Sequence, residues 1–423
     1  MESGTRVAVL GLGKSGYESA CFLQAKGYEV FVSELGNSSA AGEFAKLLAA
    51  RGIDCETGRH TMDRILGMDW VLISPGISPK TSVYKAISEK GLPVYSEIEV
   101  ASWFCASRQI IAVTGSSGKT TVCTLLARML EAAGREVVCC GNIGTPWIAQ
   151  LARIRPETTV VLELSSFQLF HCRGFRPHVG VLLNLSPNHQ DWHKDMQEYA
   201  DAKLRLFQNQ EPEDAAVIRK TDLAGYFPAY NFRAGVTFFD GAASENPNHD
   251  VVRAVASILN LPESCCEAVL REFRGLEHRM EEVETIHGVT YVNDSKSTTT
   301  ASLAWALRKF PDGKVLLIAG GIAKSADYAD IRELIRQKVR QIFLIGRAAP
   351  VLREAWAGTV PLFDAENMRQ AVGAAARAAV DGDRVLLSPA CSSFDMFESY
   401  EHRGREFKRC VASLETRTGS QTV

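Results

Sequence analysis

Short apolar, β-branched runs that end in glycine or serine recur along the chain, and each is followed by a stretch with helical period. The runs are Arg6 to Leu10, Trp70 to Ser74, Gln109 to Thr114, Thr159 to Glu163, Val179 to Asn184, Lys314 to Gly320, Gln341 to Gly346 and Arg384 to Ser388. Runs apolar on both faces are strands of parallel sheets covered by helices on each side. The alternation predicts an α/β protein.

The order strand, glycine-rich turn, helix restarts near Gly11, Gly115 and Gly320. Ligands of open α/β sheets sit at the carboxyl ends of strands, so three restarts predict three domains with one binding edge each. The predicted domains are a Rossmann-like amino-terminal domain over 1–105, a central P-loop mononucleotide-binding domain over 106–277 and a Rossmann-like carboxyl-terminal domain over 278–423. A chain of 423 residues is too long for one ordinary core and fits this division.

Composition narrows the classes. A hydrophobic share of 46%, a charged share of 23% and a net charge of -2 describe a soluble globular protein without the basic balance of a nucleic-acid binder. No apolar run approaches the roughly 20 residues of a membrane span, and the first residues lack a signal-peptide pattern, so a cytoplasmic protein is expected. The eleven cysteines include no C-x-x-C spacing, which argues against a disulfide framework or a thiolate zinc site. A monomer acting on small molecules, without nucleic acid or membrane partners, is the expectation.

The strongest chemical signal follows the strand IIAV. Thr114, Gly115, Ser116, Ser117, Gly118, Lys119, Thr120 and Thr121 lead into the helix pattern VCTLLARMLEAAG, which Gly134 ends. Glycines let backbone N–H groups approach phosphate oxygens, the helix start adds its positive end, Lys119 reaches the outer phosphates and Thr120 can hold magnesium. Val113 stands where the longer form of this loop has glycine, so the loop is a shortened variant. ATP binding is the reading; a plain strand-to-helix turn is the alternative.

Gly11, Gly13 and Gly16 form G-x-G-x-x-G after the first strand, and Glu34 lies where a ribose-binding acid would sit. Alone this reads as a dinucleotide-dependent oxidoreductase or as a close helix-strand contact. No second half of a dinucleotide fold is evident before the ATP loop, and Ser74, Pro75, Gly76 and Ile77 make another tight turn at the same edge. A nucleotide-diphosphate substrate is preferred there.

In the middle of the chain TTVVLELSSFQL delivers Glu163, Ser165 and Ser166, and a carboxylate at a buried strand end is costly unless it is paired or holds a cation. The following strand leads to His189, Asp191 and His193, but Gln190 stands where a zinc peptidase needs glutamate. Lys203, among Ala202, Leu204 and Leu206, reads on its own as a snorkelling lysine. Farther on, Arg279, Asp294, Lys296, Lys324 and Ser393 gather near strand ends and suit an anionic ligand, while Ser295 or Thr298 can be helix caps.

The strings TGSSGKTT, GNIGTPW, ELSSFQL, NLSPNHQDWH with AKLRLF, EHRMEEV with VNDSKSTT, GGIAKSADY, and SPACSSFDMF with YEHRGREF occur in that order. Together they resemble the Mur ligases of peptidoglycan synthesis over nearly the whole chain, and within them the branch that joins D-glutamate to UDP-N-acetylmuramoyl-L-alanine. The resemblance implies one domain each for the UDP-sugar, ATP and the amino acid. It implies that Lys203 carries a carbamate, that Thr120 and Glu163 hold one magnesium ion, and that His189 and carbamylated Lys203 hold a second. Lys119, Glu163, His189 and Lys203 are then the catalytic set.

By the same resemblance Gly11, Gly13, Ser15, Ser74, Gly76, Asn142 and Ser165 contact the UDP-substrate. Arg279, Asp294 and Asn248 join residues 115–121 at the ATP; Asn248 can instead cap its helix. Thr298, Lys324, Ser393 and Tyr400 hold or flank the D-glutamate carboxylates, and Lys324 favours an acidic amino acid because a second carboxylate wants a positive partner. Ser117, Asn188 and Tyr400 depart from the residues usual at their positions in the family, which bears on fine geometry.

Amide formation from a carboxylate is uphill in water, and ATP drives it by making an acyl phosphate that the amine attacks. Closure of the third domain onto the second is expected to assemble the site. The competing classes are a sibling ligase with another amino acid, an oxidoreductase, and an ATP-binding module without catalysis.

Overall fold

The computed structural model describes residues 4–189, 192–239, 246–273, 275–323 and 328–418. The chain divides into two compact units, Met1–Phe273 and Arg274–Val423. Three largely parallel sheets organise them, two in the first unit and one in the second.

The first sheet contains β1 (Arg6–Leu10), β2 (Glu29–Glu34), β3 (Asp54–Thr57), β4 (Trp70–Ile73) and β5 (Val94–Tyr95), parallel in the order β3-β2-β1-β4-β5. Val7 lies opposite Val30 on one side and Trp70 on the other. β1, β2 and β3 make one half of a dinucleotide fold, whereas β4 and β5 supply only two strands of the other. Two strands of this sheet are not visible as apolar runs: β3, whose DCET has none, and β5, which is two residues long.

The second sheet contains β6 (Ile110–Thr114), β7 (Val137–Gly141), β8 (Thr159–Glu163), β9 (Val179–Leu182), β10 (Ala215–Arg219) and β11 (Gly235–Phe239), ordered β11-β10-β9-β6-β8-β7. Every residue of β6, β8 and β9 is buried, as expected of strands covered on both faces. The register sets Val113 beside Glu163 and Thr114 beside Leu182, so the loops leaving β6, β8 and β9 emerge together.

One apolar cluster, including Val9, Trp70, Ile98, Trp147, Phe175 and Leu182, runs through both sheets of the first unit. The helix Glu97–Phe104 joins them with two buried carboxylates. Glu97 accepts from the Ile148 amide at 2.6 Å, and Glu99 accepts from the amides of Arg173, Gly174 and Phe175 at 2.9–3.0 Å. These bonds offset the desolvation that otherwise makes a buried carboxylate prohibitive. Burial still pushes the Glu97 carboxyl up to about 7.

In the second unit β12 (Glu281–Ile286) pairs antiparallel with β13 (Val289–Asn293), and β14 (Val315–Gly320), β15 (Val339–Ile345), β16 (Leu362–Asp364) and β17 (Arg384–Leu387) complete the order β12-β13-β17-β14-β15-β16. Leu317 and Ala319 enter the core on one face, Leu316 and Ile318 the core on the other. That division explains why VLLIAG reads as continuously apolar. Among the described residues no helix is long and apolar enough to cross a membrane.

Candidate active site

β6 ends in Thr114, and the chain turns through Gly115 at φ 153° and Gly118 at φ 83° into the helix Lys119–Ala132. Gly118 stands at the helix start without a side-chain cap, and no acidic residue lies in the first turn. The first N–H groups of an α-helix have no intrahelical acceptor, so this end favours an anion. A Cβ on Gly115 would lie 2.9 Å from the Leu183 Cβ, and one on Gly118 would lie 2.6 Å from Asn248 Oδ1. Close approach therefore requires both glycines.

Two lysine amines converge on this turn. Lys119 Nζ donates to the Gly115 carbonyl at 2.8 Å and Lys203 Nζ donates to the same oxygen at 3.0 Å and to Thr114 Oγ1 at 3.2 Å. Lys203, on the helix Met196–Leu204, is 1% exposed. Burial, then the neighbouring Lys119 charge, holds its amine well below the usual lysine range. A snorkelling lysine keeps its head in water; this one does not.

Glu163 ends β8 beside this turn and is 3% exposed. Its Oε1 accepts from Asn142 Nδ2 at 2.8 Å, while its buried Oε2 has no hydrogen-bond partner among the described residues. A structural salt bridge does not account for it, because no basic side chain pairs with it among the described residues' ion pairs. An unfilled carboxylate oxygen at a buried position, with the buried Thr120 on the adjacent helix, suits a hard cation.

His189 adopts φ 57°, donates its backbone N–H to Asn188 Oδ1 at 3.0 Å and is exposed. Its ring centroid lies 6.3 Å from that of Tyr199, and Lys203 Nζ lies 4.7 Å from the Tyr199 centroid, so both flank one ring. Asn188 thus orients the backbone of His189. His193 is buried, with Nε2 2.9 Å from Ser166 Oγ and Nδ1 3.3 Å from Glu198, which gives it a packing role. Gln190 and Asp191 lie outside the described residues.

Asn248 belongs to the helix Pro247–Ile258, whose cap is Asn246 rather than Asn248. Its side-chain oxygen faces Gly118, so Asn248 lies against the loop at the start of the helix Lys119–Ala132.

At the first sheet, Gly11 and Ser74 end adjacent strands at the point where the strand order reverses, the usual ligand crevice of such sheets. Ser74 Oγ donates to the Gly11 carbonyl at 3.2 Å. A Cβ on Gly16 would sit 2.0 Å from that carbonyl, whereas Gly13 faces open space. Ser15 is half-buried and Gly76 exposed at the same edge. Glu34 accepts from the Leu12 and Gly36 amides at 2.7 and 2.6 Å, so the acid that suggested a ribose contact closes the loop instead. Lys14 Nζ reaches the Gly144 carbonyl at 3.2 Å, linking this edge to the GNIG turn that carries Asn142. Ser165 caps its helix through a reciprocal pair with Gln168.

In the second unit Asp294 is buried at the end of β13, accepting from Ser388 Oγ at 2.9 Å and the Met280 amide at 3.3 Å; burial pushes its carboxyl up to about 6. Arg279 lies between His278 at φ 63° and Met280 at φ 47°, a strained turn that these bonds tie to Asp294. Ser393 is buried, Thr298 is half-buried, and the helix cap is Thr299 rather than Ser295 or Thr298. Ser295 Oγ donates to the Tyr400 carbonyl at 2.8 Å, and Lys296 Nζ lies 5.6 Å from the Tyr400 ring centroid. Lys324 lies outside the described residues. Arg403, absent from the sequence reading, is fully buried and donates to Ser295 Oγ and to the carbonyls of Ser295 and Cys391 at 2.8–3.1 Å.

Three family models match in the same order as the sheets. They are the MurD N-terminal domain over residues 6–83, the Mur ligase middle domain over 113–254 and the Mur ligase glutamate ligase domain over 278–391. A curated relative named UDP-N-acetylmuramoylalanine–D-glutamate ligase, from Chlorobium phaeobacteroides, is 38% identical over 464 residues, covering 97% of this chain and 99% of the relative. The chain belongs to the Mur ligase family. Mur ligase domains span its central and carboxyl-terminal parts, and it is an ATP-dependent ligase.

Two solved structures carry the Mur ligase fold comparison. UDP-N-acetylmuramate-alanine ligase from Thermotoga maritima aligns with TM-score 0.56 at 15% identity over 96% of this chain and 99% of that one. MurF ligase from Thermotoga maritima, solved in complex with ADP, aligns with TM-score 0.56 at 17% identity over 84% and 91%.

Proposed function

We propose that this Mur ligase joins D-glutamate to UDP-N-acetylmuramoyl-L-alanine, a cytoplasmic step of peptidoglycan precursor synthesis, acting as a monomer. The named relatives support the substrate pair, and the amino-terminal match to the MurD domain supports the branch. The observation that carries the chemistry is an uncapped helix start with the Lys119 amine held at the Gly115 carbonyl beside it. This is a preorganised anion site.

In this reading the lactoyl-alanine carboxylate attacks the γ-phosphorus of ATP, an oxygen-phosphorus bond forms, and ADP leaves. Lys119 and the first amides of its helix stabilise the charge that spreads over the transferring group. The D-glutamate amine then attacks the acyl carbon, and phosphate leaves as the amide forms. Gly115, Ser116, Ser117, Gly118, Thr120, Thr121, Asn248, Arg279 and Asp294 are assigned to ATP. Gly11, Gly13, Ser15, Ser74, Gly76, Asn142 and Ser165 are assigned to the UDP-substrate, and Thr298, Lys324, Ser393 and Tyr400 to D-glutamate.

Magnesium, when bound, neutralises charge on the outer phosphates; Thr120 and Glu163 would hold one ion, and His189 with carbamylated Lys203 a second. The open Glu163 Oε2 supports the first assignment. The depressed Lys203 amine supports the carbamate, since only a neutral amine adds to carbon dioxide, releasing one proton.

The test is phosphate release with each substrate omitted in turn. Release is expected only when UDP-N-acetylmuramoyl-L-alanine, D-glutamate and ATP are all present. Release with another amino acid in place of D-glutamate reassigns the chain to a sibling ligase.

A further inference from the structure

The shortened phosphate loop lacks the leading glycine of the longer form, yet Ser116 and Ser117 are held in a defined shape. The holding group is Asn184, two residues beyond β9 and far from the loop in sequence. Its backbone carbonyl accepts from the Ser116 amide at 2.9 Å. Its side chain then meets Ser117 with both ends of the amide: Oδ1 accepts from the Ser117 amide at 2.9 Å, and Nδ2 donates to the Ser117 carbonyl at 3.1 Å. Ser117 Oγ adds a third contact to Oδ1 at 3.2 Å.

Only a carboxamide offers an acceptor and a donor side by side to one residue's backbone. The loop lies directly on this segment, for a Cβ on Gly115 would come within 3.3 Å of the Asn184 amide nitrogen. The Ser116 and Ser117 amides, which in a phosphate cradle are candidates to face the ligand, are therefore already engaged. Direct backbone contacts to phosphate fall to the amides from Gly118 onward, with Lys119, and Ser116 and Ser117 serve the ATP site by shaping the loop. We infer that Asn184 is a positioning residue for ATP: it fixes the Ser116–Ser117 peptides so that the chain enters Gly118 with the first helical amides directed at the outer phosphates.

The inference rests on the phosphate-loop reading above and adds a residue that acts through the loop. It predicts an effect on ATP and not on the other substrates. The experiment measures KM for ATP, UDP-N-acetylmuramoyl-L-alanine and D-glutamate, with binding of a fluorescent ATP analogue and thermal unfolding, for the full chain and for Asn184→Ala and Asn184→Asp.

Asn184→Ala is expected to raise KM for ATP about 30-fold, with a smaller fall in kcat and with KM for the other two substrates within twofold. Asn184→Asp keeps the shape and the acceptor for the Ser117 amide but turns a second acceptor toward the Ser117 carbonyl. It is expected to bind the analogue no better than Asn184→Ala, and it carries the comparison if the alanine variant does not fold. An ATP KM within twofold of the parent in either folded variant, or an equal rise for all three substrates, overturns the inference. If the parent chain releases no phosphate with D-glutamate, the functional reading fails while the analogue titration still decides the role of Asn184.

Discussion

The strand ends of the central sheet and those of the carboxyl-terminal sheet both collect buried polar groups, yet they handle them differently. At the central sheet the polar groups have capacity left over: Glu163 Oε2 has no hydrogen-bond partner among the described residues, the first turn of the helix Lys119–Ala132 is uncapped, and two amines share the Gly115 oxygen. At the carboxyl-terminal sheet the charged groups are largely met by the protein, although Asp395 Oδ1 has no hydrogen-bond partner among the described residues: Asp294 takes Ser388 and the Met280 amide, and Arg403 takes Ser295 Oγ and three backbone carbonyls. An edge with unmet demand is poised for phosphates and cations. An edge whose groups are spent on each other is a holder with a fixed shape.

The contrast breaks most visibly at Lys119. Lys119→Ala is expected to lower kcat about 10³-fold, since the amine stabilises charge in the transition state, while leaving the unfolding temperature near that of the parent. Phosphate-release kinetics beside calorimetry reads both. A large drop in stability with it would mean that the lysine is chiefly scaffold.

Lys203 sharpens the same side. Lys203→Ala is expected to lose about 10²-fold in activity, with partial recovery when a short carboxylic acid such as formate is added, because the acid replaces the carbamate oxygens. Lys203→Arg, which cannot become a neutral nucleophile, should gain nothing from added acid or bicarbonate. Full activity in Lys203→Ala would remove the carbamate from the mechanism.

On the other edge Arg403→Met is expected to act through shape. Methionine fills much of the volume and relieves the desolvation of the charge, but it leaves the Ser295 and Cys391 carbonyls without their donor. A net loss of about 3 kcal/mol is expected. Denaturant unfolding measures it, and a raised KM for D-glutamate with unchanged KM for ATP would place the damage at the carboxyl-terminal edge.

The two edges also differ in how far the sequence discloses them. The phosphate loop is legible because its chemistry is packed into consecutive residues, and the carboxyl ends of β6, β8 and β9 follow from apolar runs that cannot be surface strands. Asn184, Tyr199 and Glu97 were not found, since each is a single polar residue whose partner lies 67, 83 or 51 positions away. Lys203 gave no sign in composition, as an amine among alanines and leucines looks solvent-facing until the fold covers it. Arg403 hid in a charged helix for the same reason. The strands β3 and β5 were missed because one is partly exposed and polar and the other is too short to form an apolar run.

The smallest effect expected, and the one that tests the spent-edge idea most directly, comes from Asp294. Its folded pKa of about 6 lies above the ordinary value near 3.8, so the folded state holds its proton more tightly than the unfolded state. The stability this group contributes is fully present below the unfolded value and is lost as pH rises through about 6, where the buried carboxyl must ionise. Asp294→Asn has no proton to lose, and its amide can accept from Met280 while donating to Ser388. The variant is therefore expected to be more stable than the parent at pH 8, by on the order of 2 kcal/mol, with the advantage vanishing near pH 4, and to be impaired with ATP. Calorimetric scans of the full chain between those pH values decide it: an asparagine variant no more stable at pH 8 would mean that the Asp294 charge is compensated in solution, and that this edge keeps unmet demand as the central one does.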